Sequence, residues 1–214
     1  MTKRKAPSRR NRSGDEEEVR ERILDAAFMA FKENGYAVTS TLEIATRARV
    51  SKRELYALVG NKEEMLKACI TQRAKRLQAS PELPTPRDRE TLEQVLVAIG
   101  TQQLREVSDP AVVAVFRLAI GEAVHAPEVA RILRSIGIAT ARGTMREFMT
   151  RALESKLLEG EAQDLAEEFN ALLWGYLMID RLLGAAERPA EHELAARART
   201  ATTAFLRLHP LPRP

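Results

Sequence analysis

The sequence predicts an all-α fold, and three observations support this prediction. Ala, Leu, Glu and Arg dominate the chain while aromatic residues make up only 5%, a composition that favours helix over sheet. Apolar residues recur every three or four positions, and no alternating strand pattern is found. Capping patterns, in which Ser or Asn precedes Glu by three positions, occur three times between residues 40 and 64. We therefore expect short helices joined by tight turns, followed by longer helices.

Four helices are predicted in the N-terminal third of the chain. The first begins with a capping box at Ser13 and stops at the Asn-Gly pair 34–35. Short helices then begin after Ser40, Ser51 and Asn61, and the last of them continues to about residue 76.

Longer helices are predicted in the remainder of the chain. The proline-rich stretch 80–88 marks a boundary. Helical patterns beyond it cover residues 88–107, 110–125, 127–158, 163–185 and 190–208. Gly137 and Gly143 suggest that the helix over 127–158 breaks in two.

The helix over 163–185 is apolar nearly all round, which predicts burial on more than one side. One face holds Leu165, Phe169, Leu172, Leu173, Tyr176 and Leu177, and another holds Trp174, Met178 and Arg181. We expect one face in the core and one in a dimer interface. The last helix would lie beside that interface through Leu194, Ala198, Ala201 and Phe205. A large monomeric core is the alternative.

Composition excludes several classes of protein. With 44% hydrophobic and 30% charged residues, the 214-residue chain is typical of a globular protein of one or two domains. The single cysteine, Cys69, excludes an internal disulfide framework and a cysteine-based zinc site. The longest apolar stretch, 172–179, is too short to span a membrane. The N-terminus does not resemble a secretory signal. We expect a cytoplasmic protein with no membrane partner.

Positive charge is concentrated at the N-terminus. Residues 1–13 carry six basic side chains and no acidic one, although the net charge of the whole chain is only +4. Contacts between basic residues and phosphate release counterions, so such an arm is a common device for binding nucleic acid. We predict a disordered basic arm over residues 1–14. A solubilising leader is the alternative.

Residues 41–60 fit a helix-turn-helix motif. Ala45 stands where the two helices would cross closely, and Leu55 would fill the angle between them. In this geometry the second helix projects its outer face into the major groove of DNA. That face holds Lys52 and Arg53. An ordinary helical hairpin with a basic surface is the alternative.

The stretches RILDAAFMAFKENGY, TSTLEIATRARVSKRELY and NKEEML follow one another at a characteristic spacing. Over residues 19–66 the chain therefore resembles the TetR family of bacterial transcription regulators. FRLAIGEAVHAPEVARILRSIG and LLWGYLMIDRLL resemble the C-terminal domain of the AefR-like branch. The resemblance implies a homodimer with a helix-turn-helix DNA-binding domain over 15–60 and a connecting helix over 61–79. A C-terminal helical bundle for ligand binding and dimerisation would cover 80–214.

The resemblance also implies which residues contact operator DNA: Thr39, Ser40, Thr41, Ser51, Lys52, Arg53, Tyr56 and Lys62. The first three begin the helix that meets phosphate, the next four lie on the recognition helix, and Lys62 opens the following helix as a phosphate contact. Arg49 stands where the family usually has glycine, so we expect a left-handed backbone at a non-glycine residue. This departure and others prevent transfer of an operator sequence from a relative.

An effector site is expected among the helices of the bundle. Its candidate residues are Phe116, Arg117, Ile120, His125, Met145, Phe148, Met149 and Phe169. Met and Phe adapt to varied apolar ligands, while the Arg and His side chains, with Arg142, are candidate polar anchors. The pattern predicts an apolar or amphipathic small-molecule effector. Each apolar residue could instead be ordinary core.

Glu122-x-x-His125 has the helical spacing of half a di-iron site, but the sequence contains no second such motif. We therefore expect no enzyme activity, no cofactor and no metal. The leading hypothesis is a repressor that leaves its operator when an effector moves the connecting helix. A DNA-binding activator and an effector-independent architectural protein are the alternatives.

Overall fold

The computed structural model describes residues 9–77 and 84–211, with no side-chain description for residues 9–13, 73–77, 140 and 141. All regular structure within these ranges is helical, which confirms the predicted all-α fold. The described residues form two compact units. The first unit holds the residues up to Gln72 together with Leu118–Leu133, and the second holds the remainder. No described helix is long and apolar enough to cross a membrane.

The helices of the first third match the predicted pattern except at the N-terminus. They are α1 (Arg9–Asn34), α2 (Thr41–Ala48), α3 (Lys52–Leu58) and α4 (Lys62–Leu77). The predicted start of α1 at Ser13 is wrong. Arginine is a good helix former and no proline stands between 9 and 13, so the helix extends past the cap pattern. Residues 9–14 of the predicted disordered arm are therefore helical, and residues 1–8 lie outside the described residues.

Each of the three internal capping patterns marks a helix start as predicted, although the Glu43 side chain pairs with Asn34 and Arg47. The Ser40 and Ser51 hydroxyls each accept a hydrogen bond at 3.1 Å, from the N–H groups of Glu43 and Glu54. Asn61 and Glu64 bond reciprocally, since each side chain accepts the backbone N–H of the other, at 3.0 and 2.7 Å. These caps satisfy donors that the first turn of a helix leaves unpaired, and so they fix where α2, α3 and α4 begin.

Apolar residues from all four helices form the core of the first unit. Ile23 and Leu24 of α1 are completely buried, as are Ile44 of α2, Leu55 of α3 and Met65 of α4. Ala45 of α2 is only 2% exposed, which is what a small residue at a close helix crossing requires.

The later helices divide more often than the sequence predicted. They are α5 (Arg89–Val107), α6 (Pro110–Gly121), α7 (Pro127–Ile132), α8 (Ala139–Glu154), α9 (Ala162–Trp174), α10 (Leu177–Leu183) and α11 (Glu191–Leu208). A π-helical turn, Leu133–Ile138, joins α7 to α8 and includes Gly137, while Gly143 lies inside α8. The predicted helix over 110–125 ends earlier, at Gly121.

The predicted single helix over 163–185 is two helices that meet at Gly175. This glycine has φ +43°, and a Cβ built on it would stand 2.6 Å from Nη2 of Arg197. The Arg197 guanidinium donates hydrogen bonds to the Leu173 and Trp174 carbonyl oxygens at 2.6 and 2.7 Å. The chain therefore breaks where only glycine leaves room for an arginine to close α9.

Helices α5, α8, α9 and α11 build the core of the second unit. Phe169 of α9 and Phe205 of α11 are completely buried and meet edge to face, with ring centroids 5.5 Å apart. Leu194, Ala198 and Ala201 belong to the same core. The apolar face of α11 therefore packs against α5 and α9, and the place of α11 beside a dimer interface stays a prediction. Tyr176, predicted with the Leu165 face, is instead 79% exposed.

Candidate nucleic-acid interface

The turn between α2 and α3 has the geometry that a helix-turn-helix requires. Arg49 adopts φ 56° and ψ 47°, so the predicted left-handed residue is confirmed. The Val50 N–H donates to Ala45 O at 3.0 Å, and the Arg49 N–H donates to Thr46 O at 3.2 Å. These bonds satisfy the last carbonyls of α2 and redirect the chain into α3.

The outer face of α3 is fully accessible while its inner face is buried. Lys52, Arg53 and Tyr56 are exposed, and Leu55 between them is completely buried. The Tyr56 hydroxyl lies 3.2 Å from the Thr41 hydroxyl, which brings the recognition helix and the start of α2 together. Four predicted contact positions, Ser51, Lys52, Arg53 and Tyr56, thus share one exposed surface, which we call the α3 face.

The two cations of the α3 face are free to meet a partner. Within the part of the chain that the structure describes, neither Lys52 nor Arg53 forms an ion pair or a hydrogen bond. Arg47 of α2, by contrast, pairs with Glu33 at 2.6 Å and Glu43 at 2.9 Å. Unpaired cations on a protruding helix attract phosphate and can donate to the O6 and N7 acceptors of guanine.

The structure does not bring Thr39 to this surface. Thr39 is 2% exposed, and its hydroxyl lies 2.6 Å from Gly35 O and 3.2 Å from Ala30 O. Ser40 is exposed, but its hydroxyl caps α2. The hydroxyls of Thr39 and Ser40 therefore hold the backbone at this end of α2. The next residue, Thr41, is the one whose hydroxyl lies beside that of Tyr56.

The side chain of Lys62, the first residue of α4, packs on the turn between α1 and α2 (residues 35–40). Its ammonium donates to the carbonyl oxygens of Tyr36 at 2.9 Å, Ala37 at 3.2 Å and Thr39 at 3.2 Å. It also stands 4.6 Å from the centroid of the Tyr36 ring, a cation–π distance. A lysine ammonium has three N–H donors, so all of them are taken within the protein.

Sequence reasoning missed two residues that support this region. The Arg22 Nε–H donates to Ala48 O, the last carbonyl of α2, at 3.0 Å. Glu122 is 8% exposed, and its Oε1 accepts the Ala37 N–H at 3.1 Å. The Glu-x-x-His pattern had drawn attention to Glu122 for another reason, whereas nothing in the helical periodicity singles out Arg22.

Acidic neighbours also affect the ionisation of Tyr36. Burial, followed by the charges of Glu128, Glu63 and Glu122, raises the pKa of Tyr36 to about 12. The phenol is therefore neutral over the whole physiological range and serves as a packed aromatic ring beside Phe31, with centroids 5.2 Å apart.

The predicted effector residues fall into three groups. Met145, Phe148, Met149 and Phe169 lie completely or almost completely buried in the core of the second unit, and Phe116 is half-buried. Ile120 is 60% exposed and His125 is exposed, and both belong to the first unit.

Arg117 and Glu122 are engaged elsewhere. The Arg117 guanidinium donates to the Leu182 and Arg181 carbonyl oxygens at 2.9 and 2.8 Å, which closes α10. The Glu122 carboxylate accepts the Ala37 N–H, and His125 is exposed. No group of three metal-ligating side chains is found among the described residues.

Two family models match the chain. The model described as bacterial regulatory proteins, tetR family, matches residues 23–69, which include the helix-turn-helix. The model described as AefR-like transcriptional repressor, C-terminal domain, matches residues 94–209. A search of curated proteins finds no match.

Solved structures share the fold over nearly the whole chain. The flavonoid-responsive regulator FrrA superposes with a TM-score of 0.78 at 26% identity, covering 92% of this chain and 100% of that one. A TetR transcriptional regulator from Agrobacterium tumefaciens gives 0.72 at 26% identity, covering 90% and 95%. A TetR family regulator from Pseudomonas syringae pv. tomato gives 0.72 at 25% identity, covering 90% and 97%.

Proposed function

The chain belongs to the TetR family of DNA-binding transcription regulators, and we propose that it is a homodimeric repressor whose grip on its operator is released by a small-molecule effector. Repression would come from steric blocking of a promoter. Such a protein acts where the chromosome is, so we propose a cytoplasmic location.

The single observation that carries the proposal is the α3 face. It combines two unpaired cations, Lys52 and Arg53, with the Tyr56–Thr41 pair on a helix with a buried inner side. We assign Lys52 and Arg53 to base edges, and Ser40, Thr41, Ser51 and Tyr56 to phosphate. Thr39 and Lys62, whose polar atoms are used inside the protein, are assigned to holding the turn.

Selection of duplexes from a random pool by the purified protein tests DNA binding. A two-fold symmetric dimer reads two half-sites, so we expect an inverted repeat with centres about 10 bp or a multiple apart. In a reporter strain, the protein should lower expression from a promoter that carries the selected sequence. No enrichment of any sequence would favour an architectural protein, and increased reporter output would favour an activator.

Dimerisation is assigned to an apolar stripe on α9 and α10. Leu172, Tyr176, Ile179 and Leu183 are 37%, 79%, 52% and 76% exposed. Tyr176, Ile179 and Leu183 are three and four residues apart from the N-cap of α10 to its end, so they share one side of that helix, and Leu172 lies on α9 before the break. Large apolar patches on a soluble chain mark interaction surfaces, and a second copy is the partner that a two-half-site operator requires.

The effector is assigned to the second unit. Met145, Phe148, Met149 and Phe169 concentrate flexible and aromatic apolar groups on α8 and α9, with Phe116 of α6 as a further candidate. The flavonoid response of FrrA, at 26% identity, supports a planar amphipathic compound as effector class. Arg117, Ile120 and His125 are left out of this assignment because of their hydrogen bonds or exposure.

A panel of flavonoids screened by thermal shift tests the effector proposal. An inducer must bind the DNA-incompetent state more tightly, and by linkage the selected duplex must weaken it by the same factor, typically about 5- to 150-fold. Equal dissociation constants with and without the duplex would show that a bound flavonoid is no inducer.

A further inference from the structure

A buried carboxylate from the end of α6 lies against the α1–α2 turn. Glu122 follows the last residue of α6 and is only 8% exposed. Its Oε1 accepts the Ala37 N–H at 3.1 Å, and the same oxygen would stand 2.7 Å from a Cβ built on Gly35. The carboxylate therefore bonds the turn at Ala37 and lies close to Gly35, whose φ of +86° favours glycine.

Lys62 holds the same turn through the opposite chemistry. Its ammonium takes the carbonyl oxygens of Tyr36, Ala37 and Thr39, whereas Glu122 takes the Ala37 N–H. At Ala37 both polar backbone groups thus bond to a charged side chain, one from α4 and one from the end of α6. Charge-assisted bonds of this kind are stronger than neutral ones.

The turn leads directly into the DNA-contacting end of α2. Ser40, its last residue, is the N-cap of α2, and Thr41 follows at 3.2 Å from the Tyr56 hydroxyl. A shift of the turn would therefore displace the start of α2 relative to the α3 face.

We propose that Glu122 is a positioning residue for DNA binding. Its carboxylate fixes the α1–α2 turn from the end of α6, so operator affinity depends on the position of that helix end. The inference rests on the proposed function. Hydrogen bonds weaken steeply beyond about 3.5 Å, so a displacement of the carboxylate by roughly half an ångström or more would release the Ala37 N–H. Because α6 is one continuous helix from Pro110, a movement along its axis would reach Glu122.

Two conservative variants separate the reach of this side chain from its charge. Glu122→Asp keeps the charge but withdraws the oxygen by one methylene, and Glu122→Gln keeps the reach and an acceptor oxygen but removes the charge. Glu128→Asp is the matched control. Glu128 lies on α7 and its charge also raises the pKa of Tyr36, but among the described residues it makes no hydrogen bond to the turn.

The measurement is fluorescence anisotropy with the duplex that the wild-type protein selects, over a range of salt concentrations, with hydrogen exchange of the Ala37 amide as a second readout. Glu122→Asp should weaken binding roughly ten- to a hundredfold, the size expected for one lost bond to a charged group. It should also speed Ala37 exchange, and the salt slope should stay unchanged because no phosphate contact is lost. Glu122→Gln keeps a weaker, neutral bond and should lie between Glu122→Asp and wild type, whereas Glu128→Asp should stay within about twofold of wild type.

Two outcomes would overturn the proposal. If Glu122→Asp binds like wild type, the turn does not depend on the reach of the carboxylate. If Glu122→Gln is as weak as Glu122→Asp, the charge and not the hydrogen bond is responsible. Failure of the wild-type protein to select any duplex would instead count against the proposed function, so the two failures are distinguishable.

Discussion

Many basic side chains of this protein close helix ends. Arg22 donates to the last carbonyl of α2, Arg197 to the last carbonyls of α9, and Arg117 to those of α10. The carbonyl end of a helix leaves acceptors unpaired and carries partial negative charge, so a guanidinium there is doubly favourable. Residue type alone therefore does not identify DNA contacts in this chain, and we infer those of Lys52 and Arg53 from their place on the α3 face together with their unpaired state.

The first prediction distinguishes Lys62 from a phosphate contact. Lys62→Ala removes the ammonium that binds three turn carbonyls, so operator affinity should fall at every salt concentration. The slope of log affinity against log salt should stay unchanged, because no phosphate contact is lost. Anisotropy titrations from about 50 to 200 mM salt measure the slopes of the variant and of the wild-type protein. A slope flattened by about one unit in Lys62→Ala would place that ammonium on phosphate.

The second prediction concerns pH and Glu106 near the end of α5. Burial raises the pKa of the Glu106 carboxyl, against the opposing effects of the Gln102 hydrogen bond and Arg105. A raised pKa means that the charged form is disfavoured in the folded state, and this penalty disappears as pH falls below the ordinary value of about 4.3. Glu106→Gln should raise Tm near neutral pH, and the gain should shrink toward about pH 4.

Differential scanning fluorimetry across the pH range measures this effect. The control is Glu93→Gln, which changes an exposed residue of the same helix. A gain that is the same at every pH would show that ionisation of Glu106 is not its cause.

At the scale of elements, capping chemistry was readable from the sequence and helix interruptions were not. Ser40, Ser51 and Asn61 each mark a helix start because their caps depend on residues only three positions away. The break at Gly175 depends on Arg197, and the turn at Gly35 receives Glu122, so both involve residues distant in sequence. The α3 face was predictable because it is one helix, whereas the hydrogen bonds of Lys62 and Thr39 required the fold.

The third prediction tests the strain at the helix-turn-helix turn. Arg49 adopts the left-handed conformation, which costs roughly 1 kcal/mol for a residue with a Cβ. Arg49→Gly should therefore increase the free energy of unfolding by about 0.5–1 kcal/mol in urea titrations followed by circular dichroism. Lys67→Gly, at an exposed position inside α4, should decrease it by about the same amount. Destabilisation by both substitutions would mean that Arg49 makes a favourable contact that outweighs its backbone strain.

At the scale of the whole molecule, the proposed reading of an inverted-repeat operator requires two copies of the chain. A single helix-turn-helix offers one reading helix, and an inverted-repeat operator needs two. The exposed stripe of Leu172, Tyr176, Ile179 and Leu183 is the surface we assign to this contact. From the sequence, the apolar helix was recognised, but its division at Gly175 determines which of its residues reach the surface.

The fourth prediction addresses the dimer. Tyr176→Glu combined with Leu183→Glu places two charges in the stripe, and burying unpaired charge is costly. Light scattering after size exclusion should show the mass fall from twice 23.9 kDa to 23.9 kDa. Val124→Glu, at an apolar position 85% exposed in the first unit, should leave the dimer intact. A double variant that remains dimeric would place the interface elsewhere.

The most direct test of sequence reading by the α3 face is binding-site selection with Arg53→Ala beside the wild-type protein. Arg53 is exposed and unpaired on the first turn of α3, where a guanidinium can bond guanine O6 and N7 with about 1–3 kcal/mol of discrimination. We expect the wild type to select an inverted repeat and the variant to select the same repeat with one base pair per half-site relaxed. An identical consensus from both proteins would contradict sequence reading by the α3 face.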